Sequence, residues 1–386
     1  MRAISAASQV LPSGRRCDNG SKLVSSRPSG RHVLTTNQRP RAETLIGLAQ
    51  ALLEKAALPP EKASLVAELL VEADLMGHTT HGLNLLAGYL GALDDGKMTA
   101  TGDVEVIADH GSTLVWDGRY LPGVWLTAKA IDTAVARAES HGLASVSIRK
   151  SHHIACLATF LERATRHDMM VLLLSSDPAA ASVAPFGGTR PVMTPNPIGI
   201  GIPTGGDPIL IDVSASITTN GLSGRLAKEG KRFEHPWLLD GAGLATNDPA
   251  VLQADPPGSI LPIGGLDHGH KGTAIGLWVE VMTQALAGFG RADGADRWGA
   301  SVFVQVIDPK AFAGRDAFVR QTGWLAEAVT SNPPRPGVEA VRLPGQRGLQ
   351  KKREALQNGV DLYPGILDSL RAEALKRDVP WPTALG

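Results

Sequence analysis

The sequence predicts an α/β protein with additional helices contributed by both ends of the chain. From residue 124 to residue 307, segments with helical spacing of apolar residues alternate with short apolar runs. Such alternation is typical of a sheet that is covered by helices. Residues 44–93 and 350–376 have helical spacing without strands between the helices. We therefore expect the two ends of the chain to form a second, mainly helical part.

Each element follows from the spacing of apolar residues and from the turn residues between them. Pro60 opens one helix, which is a tolerated position for proline. The sequence predicts helices over 44–57, 60–75, a segment ending near 93, 124–141, 154–166, 275–287, 316–330, 350–357 and 366–376, and strands over 104–108, 112–117, 144–148, 169–174, 198–202, 209–213 and 301–307.

The composition gives the chain no large net charge. Lys plus Arg and Asp plus Glu each number 38 among 386 residues, so no overall field favours nucleic acid or an anionic membrane. No apolar run approaches the roughly 20 residues that a bilayer span needs. The two cysteines, Cys17 and Cys156, form neither a disulfide framework nor a CxxC metal pair. We expect a small-molecule partner and a cytoplasmic location.

Residues 1–41 differ from the rest of the chain. They contain seven arginines and Lys22 against one acid, Asp18, among many Ser, Gly and Pro residues. This composition predicts a disordered basic extension that the fold does not need. It resembles an organellar transit peptide but lacks the amphipathic helix of one, and a start codon assigned too far upstream explains it equally well.

Two glycine-rich stretches were tested as nucleotide-binding motifs. Gly199-Ile-Gly201 lacks the third glycine of a dinucleotide fingerprint, and Pro203 follows where a helix would begin, so a Rossmann domain is not predicted. The run from Gly264 to Thr273 misses the P-loop spacing. We expect it to be a loop that presents backbone N–H groups to an anion at the start of the following helix.

Histidines occur in three motif-like stretches. His81 lies between two predicted helices and is flanked by Gly77 and Gly82, which allow the chain to leave the helical path. His153 follows a predicted strand, and His270 precedes Lys271 in the glycine-rich run. For the first stretch, the alternative is that Thr80 caps a helix and His81 occupies its first turn.

With three further motifs, these stretches resemble the malate/L-lactate dehydrogenase family of NAD(P)-dependent 2-oxo-acid reductases. The resemblance extends from about residue 42 to the end of the chain. Six degenerate motifs in one order are specific, although each alone is weak. Each of the six motifs of the family has a counterpart in this chain. The first three are Ser-His-Gly-Val at Thr80–Leu83, Ser/Asn-x-His at Ser151–His153 and Gly-Thr-Asn-Pro at Thr194–Pro197. The other three are Asp-Met-Ala/Ser at Asp212–Ser214, Gly-x-Lys-Gly at Gly269–Gly272 and Pro-Gly-Glu at Pro344–Gln346.

The resemblance implies a fold and an assembly. Residues 119–334 would form a three-layer, non-Rossmann NAD(P)-binding α/β domain with a mixed sheet. Residues 42–118 with 335–386 would form a mainly helical domain, in which the last helices pack on the first ones. The resemblance also implies a homodimer.

The resemblance further implies site residues. His81 and His153 would be catalytic together with Thr80, and which histidine donates the proton stays open. His152 would lie outside the reaction. NAD or NADP would be held by three segments, namely Ile209, Leu210, Ile211, Asp212, Val213 and Ser214, then His270 and Lys271, then Gly345, Gln346 and Arg347. Asp212 has a competing interpretation as the cap of a turn.

The substrate side departs from the family pattern. Leu85 occupies the position where many members have an Arg that pairs with the substrate carboxylate. Either Arg149 or Arg225 would then replace it, or the substrate would present a less charged group there. Asn196 belongs to the altered Thr-Pro-Asn-Pro motif. Asp177 introduces a charge at a further motif position. We expect Leu85, Arg149 and Asn196 to line the substrate site.

The predicted function is therefore an NAD(P)H-dependent oxidoreductase of small 2-oxo or 2-hydroxy acids. One alternative is a family member that binds the cofactor but has lost turnover. A second is a zinc hydrolase built on His78, His81, His152 and His153. We expect no metal, because the glycines around His81 disfavour a regular helix and no acidic cluster completes a site.

Overall fold

A computed structural model describes residues 39–386, which contain ten α-helices and ten β-strands. The predicted extension over residues 1–41 lies almost entirely outside the described residues. The helices are α1 (Ala42–Lys55), α2 (Pro60–Leu75), α3 (Leu86–Asp94), α4 (Gly123–His141), α5 (Ala158–Thr165), α6 (Asn220–Lys228), α7 (Gly265–Glu280), α8 (Arg315–Thr330), α9 (Gln346–Asn358) and α10 (Ile366–Lys376). The strands are β1 (Glu105–Asp109), β2 (Thr113–Asp117), β3 (Leu143–Ser151), β4 (Met170–Ser176), β5 (Pro197–Ile202), β6 (Ile209–Ser214), β7 (Leu238–Leu239), β8 (Ala245–Thr246), β9 (Ser259–Ile260) and β10 (Ala300–Ile307).

Seven strands form the main sheet, in the order β1-β2-β3-β10-β4-β5-β6. The pair β2 and β3 is parallel and the other neighbours are antiparallel, so the sheet is mixed, as predicted. β1 and β2 were grouped with the helical segments, but β2 pairs along β3 and joins them to this sheet. A second sheet, β8-β7-β9, is small and was not predicted.

Side chains of the central strands alternate between two apolar clusters. Val302, Val304 and Val306 of β10 belong to a large cluster that includes α4 and α5. Phe303 belongs to a separate cluster with Val279 of α7. Because successive side chains of a strand point to opposite faces, helices cover both faces of the sheet. The three-layer α/β architecture is therefore confirmed.

Helices from the two ends of the chain pack together, as the resemblance implied. Leu349 of α9 and Leu370 of α10 are buried in the same large cluster as α1 and α2. Lys352 of α9 forms an ion pair with Glu72 of α2 at 2.6 Å. The division of the chain into a helical and a cofactor-binding domain remains a prediction.

The loop expected over residues 264–273 is wrong, because α7 begins at Gly265 and continues through a kink at His268. Three of its glycines, Gly269, Gly272 and Gly276, are buried and allow a close approach. A Cβ added to Gly272 would lie 2.3 Å from the backbone nitrogen of Ile263. The glycines indicated a loop in the sequence, whereas in the structure they allow tight helix packing. Within the described residues, no helix is long and apolar enough to cross a membrane.

Candidate active site

A cavity of about 1050 Å³ lies where the His81 joint, the start of α6 and the ends of β4 and β6 meet. His81, Thr80 and Leu85 line it from the joint, and His153 lines it from the segment after β3. Asp212 lines it from β6. Five residues predicted from separate parts of the sequence therefore share one cavity.

The joint that carries His81 is held by Asp74, a buried carboxylate near the end of α2. Asp74 Oδ2 accepts a hydrogen bond from the backbone N–H of Leu83 at 2.7 Å. Burial raises the pKa of Asp74 to about 7. A Cβ on Gly82 would lie 2.4 Å from the Asp74 carboxyl carbon. Glycine is required at residue 82 because the backbone touches this carboxylate.

Arg225 of α6 holds the same joint from the other side. Its guanidinium donates to the Oγ1 and the backbone oxygen of Thr79 at 3.0 and 2.9 Å, and stacks 3.7 Å over the ring of Tyr363. A Cβ on Gly221 would lie 3.6 Å from the Thr80 side chain. Arg225 therefore fixes the joint and is not among the residues that line the cavity.

Thr80 contacts His81 directly. Its Oγ1 lies 2.8 Å from His81 Nδ1, and it caps none of the described helices, since the N-cap of α3 is Leu85. Burial lowers the pKa of His81, and the carboxylate of Asp212 opposes this shift. The interpretation of Thr80 as a helix cap is wrong, and its hydroxyl instead orients the imidazole.

The tautomer of His153 is set by the backbone N–H of Ala155, which donates to Nδ1 at 3.3 Å. The hydroxyl oxygen of Tyr89 lies 2.9 Å from the same nitrogen, and the hydroxyl donates to the backbone oxygen of His153 at 3.2 Å. Since Nδ1 accepts, the proton of the neutral ring is on Nε2. Burial, and then the proximity of His81 and His152, lowers the pKa of His153 to about 3. His153 is therefore neutral near pH 7 and can donate one hydrogen bond.

His152 is fully buried, and neither of its ring nitrogens has a partner within the described residues. Burial lowers its pKa to about 4. The ring packs edge-on against Trp298, with centroids 4.8 Å apart, and Trp298 also stacks on His153 at 5.0 Å. His152 thus forms part of the packing that supports His153 and does not line the cavity.

Asp212 performs the capping role that competed with cofactor binding, but for a different element. Its Oδ2 accepts from the backbone N–H of Ala158, the first residue of α5, at 3.0 Å. A carboxylate at a helix N-terminus is favourable. The predicted helix start at residue 154 is wrong, because Ala155 has φ +59° and the chain turns there before α5 begins. The neighbours Val213 and Ser214 line the cavity.

Two of the three predicted cofactor segments meet. The backbone N–H of Leu210 donates to the oxygen of Pro344 at 3.2 Å, which brings Ile209, Leu210 and Ile211 next to Gly345. Gly345 has φ +82°, and a Cβ there would lie 2.6 Å from that of Leu210. Gln346 and Arg347 are exposed at the start of α9. His270 and Lys271 are exposed on α7 and do not line the cavity.

Two predicted substrate residues lie outside the cavity lining. Arg149 forms an ion pair with Asp117 at 3.0 Å. Asn196 is fully buried, and its amide donates to the backbone oxygen of Gly276 and to Glu280. Asn196 therefore links β5 to α7 in this structure. Of the three residues expected at the substrate, Leu85 is the one that lines the cavity with His81 and His153.

Sequence reasoning missed two aromatic residues, Tyr89 and Trp298. Tyr89 has the helical spacing of an apolar position in α3 and is buried there. Only its hydroxyl reaches His153. Trp298 precedes β10 and lies in no recognised motif. A buried Tyr needs a hydrogen-bond partner, and this was the one signal available for Tyr89.

Comparison with known proteins decides the family. The malate/L-lactate dehydrogenase profile matches residues 41–371. The chain belongs to this family. It is 28% identical to the L-lactate dehydrogenase of Cupriavidus necator over 87% of this chain and 97% of that protein. It is 31% identical to the (2R)-3-sulfolactate dehydrogenase (NADP(+)) of Chromohalobacter salexigens over the same shares of the two chains.

A solved structure has a similar fold. The delta1-piperideine-2-carboxylate reductase of Pseudomonas syringae pvar. tomato superposes with a TM-score of 0.74 at 27% identity, over 88% of this chain and 100% of that one. As a member of the malate/L-lactate dehydrogenase family, the protein is an oxidoreductase of hydroxy acids that acts on a CH–OH group. The predicted family is confirmed.

Proposed function

We propose that this dehydrogenase interconverts a small 2-oxo acid and its 2-hydroxy acid, with NAD(P) as the hydride carrier. The observation that carries the proposal is the pair His81 and His153, whose ring centroids are 6.2 Å apart in one cavity. The nicotinamide, when bound, supplies or accepts the hydride. A volume of about 1050 Å³ fits a nicotinamide beside a small acid, since ligand sites hold roughly 300–1000 Å³.

The cofactor would be held along β6 and beyond it. Asp212, Val213 and Ser214 line the cavity, and the Pro344–Gly345 turn lies beside the start of the same strand. Asp212 has a carboxylate with which ribose hydroxyl groups can form hydrogen bonds. The exposed side chain of Arg347 suits a 2′-phosphate. Titration with NAD and with NADP by calorimetry would decide between the two cofactors.

His153 would bind the substrate oxygen as a neutral hydrogen-bond donor. Tyr89 and Ala155 hold its Nδ1, so Nε2–H is the donor. Because burial lowers the pKa of His153 to about 3, protonation of this ring is too costly near pH 7. A preorganised neutral donor of this kind can stabilise charge on the carbonyl oxygen as hydride arrives.

His81 would donate the proton to that oxygen. Burial lowers its pKa, but the carboxylate of Asp212 favours the charged ring and opposes the shift. Thr80 Oγ1 orients Nδ1, so that Nε2 is the atom available for the substrate. Its imidazole therefore gains a proton more readily than that of His153, as a general acid requires.

The cavity favours an acid with an apolar remainder. Among the described residues that line it there is no Lys or Arg, whereas Asp177 and Asp212 are present. Leu85 adds apolar surface beside His81. The N-terminus of α6, where Asn220 and Gly221 line the cavity, is a positive feature that could meet one carboxylate. A monocarboxylic 2-oxo acid or a cyclic imino acid should thus be preferred to a dicarboxylate, whose second charge would be buried without a partner.

Leu85→Arg tests this preference. If Leu85 faces the substrate, the ratio of kcat/KM for oxaloacetate to kcat/KM for an apolar 2-oxo acid should rise about tenfold to hundredfold, the value of one charged hydrogen bond. Leu85→Met is the matched control and should leave the ratio unchanged. An equal ratio in all three proteins would show that residue 85 does not contact the substrate.

The two alternatives make different predictions. A cofactor-binding protein without turnover would bind NAD(P) but oxidise no nicotinamide with any member of a broad 2-oxo- and imino-acid panel. The proposed function fails if neither cofactor binds. A zinc hydrolase on His78, His81, His152 and His153 is not favoured, because within the described residues these four form no group of metal-binding geometry.

We also propose a homodimer. The outer face of α7 and the π-helical segment Val281–Ala285 that continues it, together with Leu286, expose a set of apolar side chains. These are Leu277, Trp278, Val281 and Leu286, which are 43 to 55% exposed. Clustered apolar side chains of this size are typical of protein interfaces. Sedimentation of the purified protein should give twice the chain mass, and Trp278→Glu should shift it to the monomer. A monomeric parent protein would refute this assembly.

A further inference from the structure

On the cavity wall, Asp212 lies beside two side chains that the proposed reaction does not use, His78 and Cys156. The ligand atoms of His78, Cys156 and Asp212 all lie within 4.8 Å of one another. The Cys156 sulfur is 3.5 Å from Asp212 Oδ2. All three residues line the cavity. In the described part of the chain, no other three His, Cys, Asp or Glu residues have this spacing.

The three ligand types are those that Zn²⁺ prefers, namely thiolate, imidazole and carboxylate. Bonds of about 2.0 to 2.3 Å place the ligand atoms of a tetrahedral site about 3.3 to 3.7 Å apart. Cys156 and Asp212 already have this separation. Since the ligand atoms lie within 4.8 Å of one another, the widest separation in the group must close by no more than about 1.5 Å. Rotation of His78, a partly exposed residue just after α2, can provide it.

We propose that His78, Cys156 and Asp212 bind Zn²⁺ on the cavity wall, with the fourth coordination position open to the cavity. The Zn–S bond forms as the Cys156 thiol releases its proton to solvent, so binding should weaken as pH falls. The ion would engage the carboxylate of Asp212 and occupy space beside His81. Zinc and the reactants should therefore exclude each other, a consequence that rests on the proposed function, whereas zinc binding itself does not.

Cd²⁺ serves as the optical probe of the site, because its bond to a thiolate absorbs in the ultraviolet. The full-length chain with Cys17→Ser leaves Cys156 as its one thiol. We expect a charge-transfer band that saturates at one Cd²⁺ per chain and is removed by added Zn²⁺. His78→Ala should weaken Cd²⁺ binding by about tenfold or more. His110→Ala, at an exposed turn, is the matched control and should bind Cd²⁺ as the parent does.

Cys156→Ser on the same background should abolish the band. If that variant does not fold, the Cd²⁺ affinities of His78→Ala and His110→Ala still test whether the zinc site exists. The absence of a band at stoichiometric Cd²⁺, or an unchanged affinity in His78→Ala, would overturn the zinc site. A band without turnover on any 2-oxo acid would refute the proposed function alone. Turnover without a band would refute the zinc site alone.

Discussion

The buried neutral His152 should make stability depend on pH in a way that one substitution can isolate. Its pKa falls from an ordinary 6.5 to about 4 in the folded chain because the ring is desolvated. Below pH 6.5 the unfolded chain therefore binds a proton at His152 that the folded chain does not. The neutral His152 therefore costs the folded state no stability above its pKa in the unfolded chain. The free energy of unfolding falls as pH decreases from that value toward the pKa of His152 in the folded chain.

The magnitude follows from the shift. Each unit is worth about 1.4 kcal/mol, so His152 should cost the folded state about 2 kcal/mol at about pH 5 and almost nothing at about pH 7. Other buried groups contribute too, and the raised pKa of Asp74 acts with the opposite sign. The difference between the parent and His152→Asn removes those shared contributions.

Denaturant unfolding of both proteins between about pH 4.5 and pH 7 measures this difference. The stability of His152→Asn relative to the parent should increase by about 2 kcal/mol from about pH 7 to about pH 5. His110→Asn, at an exposed turn, is the control, and its free energy of unfolding should change with pH as that of the parent does. Parallel curves for parent and His152→Asn would refute the reasoning, because they would mean that His152 is protonated equally easily in both states.

Three further outcomes are expected. Tyr89→Phe should lower kcat about fivefold to hundredfold with little change in KM, because His153 loses the hydroxyl that contacts its Nδ1 and its backbone oxygen; an unchanged kcat would show that this hydroxyl does not support the reaction. Gly82→Ala should lower the free energy of unfolding by about 1 to 3 kcal/mol, because the methyl group would meet the buried carboxylate of α2. Gly88→Ala, with nothing within 4 Å, is its control. Removal of residues 1–38 should leave Tm unchanged, whereas removal of residues 1–41 should lower it measurably in a thermal scan.

The last of these expectations corrects the predicted boundary at residue 41 by three residues. The backbone oxygen of Pro40 accepts from Val360 N–H at 2.8 Å, and Arg41 donates to the backbone oxygen of Gln357 at 2.9 Å. Residues 39–41 share the basic composition of the preceding segment, so no local signal separates them. Their contacts lie more than 300 residues away in sequence, and periodicity contains no information about such pairs.

The same limit explains which parts of the fold were predictable. Helices α2, α4 and α10 were predictable because their apolar residues recur every one or two helical turns. Their predicted bounds are within one residue of those observed. Helix α6 was missed, because Thr219-Asn220-Gly221 is typical of a turn and the helix has one buried residue, Ser223. Its stability comes from contacts such as that of Arg225 with Thr79, which the local sequence does not encode.

The candidate site was likewise predictable only in part. Motifs found His81, His153 and Asp212, because motifs record residue types at fixed spacing. They did not predict that Asp212 caps α5, or that the Tyr89 hydroxyl contacts His153, since both depend on how separate elements pack. The chemistry assigned to the two histidines depends on those supporting contacts. His153 stays neutral because it is buried with its Nδ1 bonded to Tyr89, whereas His81 lies under the influence of a carboxylate. The sequence could name the two rings, but the proposed division, with His153 as hydrogen-bond donor and His81 as proton donor, is argued from their surroundings.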